Sequence, residues 1–150
     1  MADIIGEDFD NTNFRLSDYE GKVILLDFWG FWCPHCVKMI PHEKEMLEKF
    51  KSRPFALIGV NNDKTKEEYD RGMRQYQLPW RNFKDKLPDG SSLGRKLGVR
   101  AYPSLILIDH KGVVRKIWVG APKDNELETA IARLLDRAEK AEKSTGANQP

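Results

Sequence analysis

Cysteine is scarce in this chain: there are two in 150 residues, three positions apart. A loop closed over so few residues restrains little of the unfolded chain, so the pair is excluded as a staple for the fold. Chemistry is the use that remains for it. No segment approaches the roughly 18 consecutive apolar residues that cross a bilayer, so no membrane segment is expected. There is no block of five like charges, no low-complexity tract and no internal repeat. The formal charge is only +2, with Lys and Arg interspersed among Asp and Glu. That balance argues against nucleic acid or an acidic membrane as a partner. The opening Met1-Ala2-Asp3-Ile4-Ile5-Gly6-Glu7-Asp8 has no basic stretch followed by an apolar one and does not read as a signal peptide. The chain is then either an intracellular protein or a domain of a longer, exported one.

The length suits one compact domain, large enough to bury most of its apolar surface. That domain is expected over residues 1–140, followed by a polar, disordered tail over 141–150. Residues 3–22 read as a short hairpin or extended lead-in, with turns at Asp10-Asn11-Thr12-Asn13 and Glu20-Gly21-Lys22. Residues 22–29 form a strand apolar on both faces, hence central in a covered sheet. A helix to about Phe50 follows, with Val37, Ile40, Leu47 and Phe50 as its core stripe and a kink expected at Pro41. Phe55 to Val60 is the next strand, and Asn61-Asn62-Asp63 stops it. A charged helix over about 65–76, a loop through Pro88-Asp89-Gly90 and a short helix near 91–97 come next. Ser104 to Ile108 and Val113 to Val119 pair as a hairpin across Asp109-His110-Lys111-Gly112. The last helix, about 124–140, carries Leu127, Ile131, Leu134, Leu135 and Ala138 on one face. The sum is an α/β architecture: a central mixed β-sheet flanked by helices, with an N-terminal hairpin and one inserted helix.

Both cysteines lie in Trp32-Cys33-Pro34-His35-Cys36, where the central strand hands over to a helix. Three residues apart on a helical turn, two Cα atoms fall near the 5.5 Å or so that a disulfide wants. The first sulfur then lies over the helix N-terminus, where unpaired N–H groups and the dipole favour a thiolate. Pro34 suits the first helical position, which needs no N–H. Cys33 is therefore the expected nucleophile and leaving group, more exposed than Cys36, the resolving thiol one turn deeper. Asp27 alternates with Val23, Leu25 and Trp29 on one strand face, which places it in an apolar layer below the site. A buried carboxyl without a cation has its pKa raised toward neutrality, suiting a general base that acts through a water. His35 is placed to donate to, or put charge near, the Cys33 thiolate. Trp32 and Phe31 are the expected apolar docking rim, and Trp29 core support.

The chain resembles the thioredoxin superfamily, and within it the TlpA/ResA-like thiol–disulfide oxidoreductases, over about residues 4–135. The resemblance is carried by Leu16 through Gly21-Lys22, Asp27-Phe28-Trp29-Gly30-Phe31-Trp32-Cys33, Cys36, Pro41, and Gly98-Val99 leading to Tyr102-Pro103. It implies a thioredoxin fold. Pro103 would be a cis proline facing the disulfide and pairing, with Tyr102, to an extended client chain. Asp27 would be the buried acid behind the cysteines. The implied activity is exchange of a Cys33–Cys36 dithiol or disulfide with cysteines of protein clients, through a mixed disulfide and without a bound cofactor. An upstream redox partner, a monomeric state and an extracytoplasmic location are implied as well.

Three departures from the relatives stand out. Pro34-His35 between the cysteines is similar to the strongly oxidising DsbA group, not to the Gly-Pro of thioredoxin. Tyr102 before the proline is similar to protein disulfide isomerases, whereas the TlpA group commonly has Thr there. An ungapped overlay puts Gly59 where thioredoxin carries a lysine, which leaves Asp27 without that partner. The direction of electron flow is open on this reading.

Rival readings fare worse. Cys33, His35, Cys36 and His42 supply four zinc-ligand types, but Cys36 and His42 are about 240° apart around a helix and Pro34 stiffens the loop. No metal is expected. A peroxiredoxin-type peroxidase would need a lone cysteine in a Pro-x-x-x-Thr-x-x-Cys setting, which is absent. A non-catalytic binding module of the same fold is the alternative from another class. His110 in its turn reads as solvated surface.

Overall fold

A computed structural model describes residues 3–147. Strand β1 (Ile5–Glu7) pairs antiparallel with β2 (Asn13–Arg15), and a 3-10 turn over Leu16–Tyr19 leads to β3 (Val23–Trp29). Helix α1 (Pro34–Phe50), β4 (Phe55–Asn61), α2 (Lys66–Tyr76), β5 (Arg81–Lys84) and the short α3 (Leu93–Lys96) follow. The chain ends in β6 (Ser104–Ile108), β7 (Val114–Val119) and α4 (Glu126–Ala147). The main sheet has the order β5-β4-β3-β6-β7. Its β3–β4 and β4–β5 pairs are parallel, and β3–β6 and β6–β7 are antiparallel. This is the thioredoxin fold with an added hairpin and inserted helix, as expected.

All seven residues of β3 are buried, because each face of the sheet is covered by a separate apolar layer. Val23, Leu25 and Trp29 face a layer that holds both cysteines, Met39, Ile40, Met46 and Phe50 of α1, and Leu127, Ile131, Leu134, Leu135 and Ala138 of α4. Ile24, Leu26 and Phe28 face the other layer, with Phe14 and Leu16 of the lead-in, Phe83 of β5, Leu93, Val99 and Ile106. Strand alternation assigns Asp27 to the cysteine side.

Several elements differ from the sequence expectation. Strand β5 lies where a loop is expected: Arg-Asn-Phe-Lys has no apolar run, and only its parallel pairing with β4 and the burial of Asn82 and Phe83 make it a strand. The hairpin docks there, through Phe14 against Phe83 and an Arg81 hydrogen bond to the Asn13 carbonyl at 3.1 Å. Helix α1 is continuous through Pro41, which faces solvent, where the lost N–H leaves a carbonyl that water can satisfy. The buried stripe of α1 is Cys36, Met39, Ile40, Glu43, Met46 and Phe50, while Val37 and Leu47 are only half-buried. Helix α4 extends to Ala147, so the stretch expected as a disordered tail from 141 continues the helix for seven residues; residues 148–150 lie outside those described. His110 is half-buried with neither ring nitrogen hydrogen-bonded, which corrects the solvated reading.

Phe14 joins the lead-in to the sheet. Phe14→Ala is expected to cost about 3–5 kcal/mol, as for a buried aromatic. Urea denaturation reads this, and a loss below about 1 kcal/mol would show the hairpin to be dispensable to the core.

Candidate active site

The site begins where β3 runs out of sheet. Cys33 is the N-cap of α1, with extended backbone at φ −99° and ψ 108°, and its Sγ accepts the Cys36 N–H at 3.3 Å. Pro34 follows at the first helical position. A sulfur capping a helix N-terminus meets both unpaired amides and the positive end of the dipole, the setting that lowers a thiol pKa. Cys33 and Cys36 are joined as a disulfide, their Cα atoms 5.3 Å apart. The expected contrast in exposure is absent: Cys33 is 3 % and Cys36 2 % accessible. The capping contact turns the Cys33 sulfur inward over the helix end, so the accessible rim falls to its neighbours.

Trp32 is that rim, 55 % exposed. Its indole donates to Asn62 Oδ1 at 2.7 Å and meets Tyr102 edge-on, ring centroids 5.5 Å apart. Burial pushes the Tyr102 hydroxyl pKa up, Asp85 adds to this, and a hydrogen bond with Asn62 works the other way. The Tyr102-Pro103 bond is cis. Phe31 departs from the expected rim role. It is half-buried, packing edge-on against Trp29 at 4.6 Å and stacking on Tyr76 at 5.7 Å, over Gly72 of α2. Pro34 and His35 are exposed, and His35 makes no hydrogen bond or ion pair among the described residues.

The Asn61-Asn62-Asp63 cluster, read in sequence only as a strand stop, holds the segment before the cysteines. Asn62 N–H donates to the Trp29 carbonyl at 3.0 Å and Phe31 N–H to Asp63 Oδ2 at 3.0 Å. Asp63 is oriented in turn by Asn61, whose Nδ2 donates to Oδ2 at 2.7 Å. Gly30 has no room for a side chain, since a Cβ there would strike the Trp32 indole and Asn62.

Asp27 lies beneath, 3 % exposed. Its parallel neighbour on β4 is Gly59, in agreement with the overlay. Among the described residues no cationic side chain acts on Asp27. A Cβ at Gly59 would fall on the Asn82 amide, whose Oδ1 accepts the Trp29 indole N–H at 2.8 Å. The partner of Asp27 is instead Glu43 of α1, 1 % exposed and with its carboxyl within hydrogen-bonding reach. Sequence reasoning passed over Glu43 because the helix stripe was drawn through apolar residues alone. The available signal was spacing: seven residues after Cys36 brings a side chain back to the same face, two turns on. Burial pushes the Asp27 pKa up to about 6, with the Glu43 hydrogen bond pulling it part way back. Burial, and then the Asp27 charge, push Glu43 well above its ordinary value.

Of the zinc-ligand types considered in the sequence, Cys33 and Cys36 are bonded to each other, and His42 is ion-paired with Glu128 of α4. Among the described residues no group of three or more His, Cys, Asp or Glu is placed to hold a metal.

A helix-capping cysteine pair on a thioredoxin fold defines a thiol–disulfide oxidoreductase, and the chain's relatives agree. The protein belongs to the AhpC/TSA family, whose model matches residues 1–117. It is 29 % identical over 127 residues to the thiol-disulfide oxidoreductase ResA of Bacillus thuringiensis, covering 85 % of this chain and 72 % of that one. The ResA of Halalkalibacterium halodurans is 29 % identical over 132 residues, covering 88 % and 73 %. Among solved structures, a Chlorobium tepidum protein described as thiol:disulfide interchange protein DsbE aligns with a TM-score of 0.79 at 32 % identity, covering 89 % of this chain and 94 % of that one. The enzyme is thus ResA-like, with a Cys-Pro-His-Cys pair as its redox group, and the non-catalytic alternative is set aside.

The raised Asp27 pKa has a consequence for stability. Between the ordinary carboxylate value near pH 4 and the folded value near 6, the native state binds more protons than the unfolded chain, so stability falls as pH rises. Oxidised Asp27→Asn, which carries no charge to bury, is expected to gain about 2 kcal/mol over the parent on going from pH 4 to pH 8. Denaturation curves of both proteins across that range read this, and parallel pH profiles would contradict it.

Proposed function

We propose that the protein exchanges disulfides with cysteine-containing protein clients, with Cys33 as the attacking sulfur, Cys36 as the resolving thiol and Asp27 as the base that takes the Cys36 proton. The observation that carries this reading is the Cys33 sulfur acting as the cap of α1. In the reduced protein the same amide stabilises a Cys33 thiolate, the species that attacks a disulfide; from the oxidised side it makes Cys33 the better leaving group. The client bonds covalently to Cys33 and lies across the exposed Trp32 and the half-buried Tyr102 that meets it edge-on, beside the buried cis Pro103. Phe31 serves by fixing the loop against α2.

Cys36 sits in an apolar layer, where an ionised thiolate is costly, so its attack on the mixed disulfide needs a proton acceptor close by. Asp27 is the carboxyl on that face of β3. One chain supplies cysteines, rim and base, so the working unit is a monomer, returned to its starting state by an upstream dithiol or disulfide partner. Among the described residues no helix is long and apolar enough to cross a membrane. Likeness to the TlpA/ResA group favours an extracytoplasmic setting.

Cys36→Ser is expected to accumulate a mixed disulfide between Cys33 and a client peptide, and Cys33→Ser to form none. Non-reducing mass spectrometry separates the two, and a trapped adduct on Cys36 alone would reverse the assignment. His35→Pro removes an imidazole from beside the thiolate. The Cys33 pKa should rise, and the potential in a glutathione buffer should fall by tens of millivolts, about 30 mV corresponding to 1.4 kcal/mol. An unchanged potential would make His35 a bystander. The parent value in the same titration sets the direction: near thioredoxin's for a reductase, near DsbA's for an oxidase or isomerase.

A further inference from the structure

Glu43 is a buried acid for which disulfide exchange, as described above, has no use. It occupies the centre of the apolar face of α1, between Ile40 and Met46, and is 1 % exposed. Oε2 of Glu43 and Oδ1 of Asp27 are sealed from solvent, and neither receives a hydrogen bond from a nitrogen or hydroxyl. Two carboxylates cannot both hold charge so close in an apolar layer, and two acceptor oxygens can bond only through a proton lodged between them. Among the described residues no other charged group acts on either carboxyl. In register with Asp27 lie Gly59 of β4 and Leu105 of β6, both uncharged, and the α4 side chains of this layer are Leu127, Ile131, Leu134, Leu135 and Ala138. The charged α1 neighbours Lys44 and Glu45 are exposed, and His42 turns to Glu128. In the reduced protein the thiols of Cys33 and Cys36 are the remaining titratable groups buried in the layer, with the half-buried Tyr76 and Tyr102 at its margin.

We propose that Glu43 is the neutral, proton-carrying partner that donates a hydrogen bond to Asp27 and holds it as the carboxylate able to accept the Cys36 proton. The inference rests on Asp27 being the base. It gives Glu43 the task a cation would perform if the space beside Gly59 were not filled by the Asn82–Trp29 pair. A neutral donor favours the ionised form of its acceptor, as a cation does, without adding a second buried charge.

Cys36 gives its proton to Asp27, and its sulfur attacks the Cys33 sulfur of the mixed disulfide. The Cys33–Cys36 bond forms, the bond from Cys33 to the client sulfur breaks, and the client leaves with that electron pair as a thiolate, protonated by water. The client is reduced and the enzyme dithiol oxidised, after which Asp27 returns its proton to solvent. Glu43 keeps its own proton throughout and is a positioning residue, not a catalytic one.

The test is the pH profile of resolution, measured from a preformed mixed disulfide between Cys33 and thionitrobenzoate as the coloured thiolate is released. Glu43→Leu removes the donor but fills the space. It should move the inflection up by about one pH unit and slow release about tenfold near pH 5 and about twofold at pH 7, with little change at high pH. Glu43→Gln retains an N–H donor and should restore the rate near pH 5. Rates lowered equally at every pH, or a Gln variant as slow as the Leu variant, would overturn the proposal. Infrared difference spectra keep it testable should Glu43→Leu fail to fold. At neutral pH the parent should show one protonated carboxyl band that Glu43→Gln abolishes; a band abolished by Asp27→Asn and kept in Glu43→Gln would place the proton on Asp27 and refute the inference. Asp27→Asn examines the underlying base role by itself: resolution slowed more than adduct formation upholds it, and equal slowing removes it, whatever the infrared band shows.

Discussion

A sulfur atom closes the end of a helix in this protein, and the rest of the site is arranged around that contact. The Cys33 Sγ bond to the Cys36 amide sets the entry of α1, holds the two sulfurs within bonding distance and places the reacting atom in the positive field of the helix end. For the contact to form, the chain must leave β3 at a fixed height and angle. Burial of β3 on both faces supplies that rigidity, since neither layer can shift without exposing apolar surface. The Asn61–Asp63 cluster then ties the Gly30–Trp32 segment to the end of β4, so the cysteines are approached by a braced turn.

The same rigidity creates the electrostatic problem below the disulfide. A carboxyl on β3 and another on α1 are driven into one apolar layer by strand and helix periodicity, and the layer admits only one negative charge. A relative with a lysine beside the acid can compensate with charge. Here Gly59, Asn82 and Trp29 close that route, and the carboxyl pair manages with a proton. The arrangement lowers stability as the pair ionises, an ordinary cost of an acid kept ready for proton transfer.

Much of this was legible before any coordinates. The run from Val23 to Trp29 reads as a strand buried on both sides because it has no polar alternation, and Leu127, Ile131, Leu134, Leu135 and Ala138 read as a helix face because their spacing repeats at 3.6. Both readings match the structure in detail. Strand β5 was invisible: Arg81 to Lys84 carry no local signal, and their conformation comes from pairing with β4. Phe31 reads as rim from its place beside Trp32, yet backbone direction at the turn sends one ring to α2 and leaves the other in solvent.

By itself the sequence determined the class of chemistry: Cys-Pro-His-Cys after a buried strand requires a redox sulfur at a helix end, a consequence of local geometry over a few residues. It also determined that Asp27 points toward that sulfur, because strand periodicity is strict. The tertiary structure alone decided what meets Asp27. Glu43 is sixteen positions away in the chain and in a different element, and only the packing of α1 on β3 brings the two carboxyls together. Tertiary packing likewise decided which aromatic side chain stays exposed, because burial is settled by the neighbours that other segments provide.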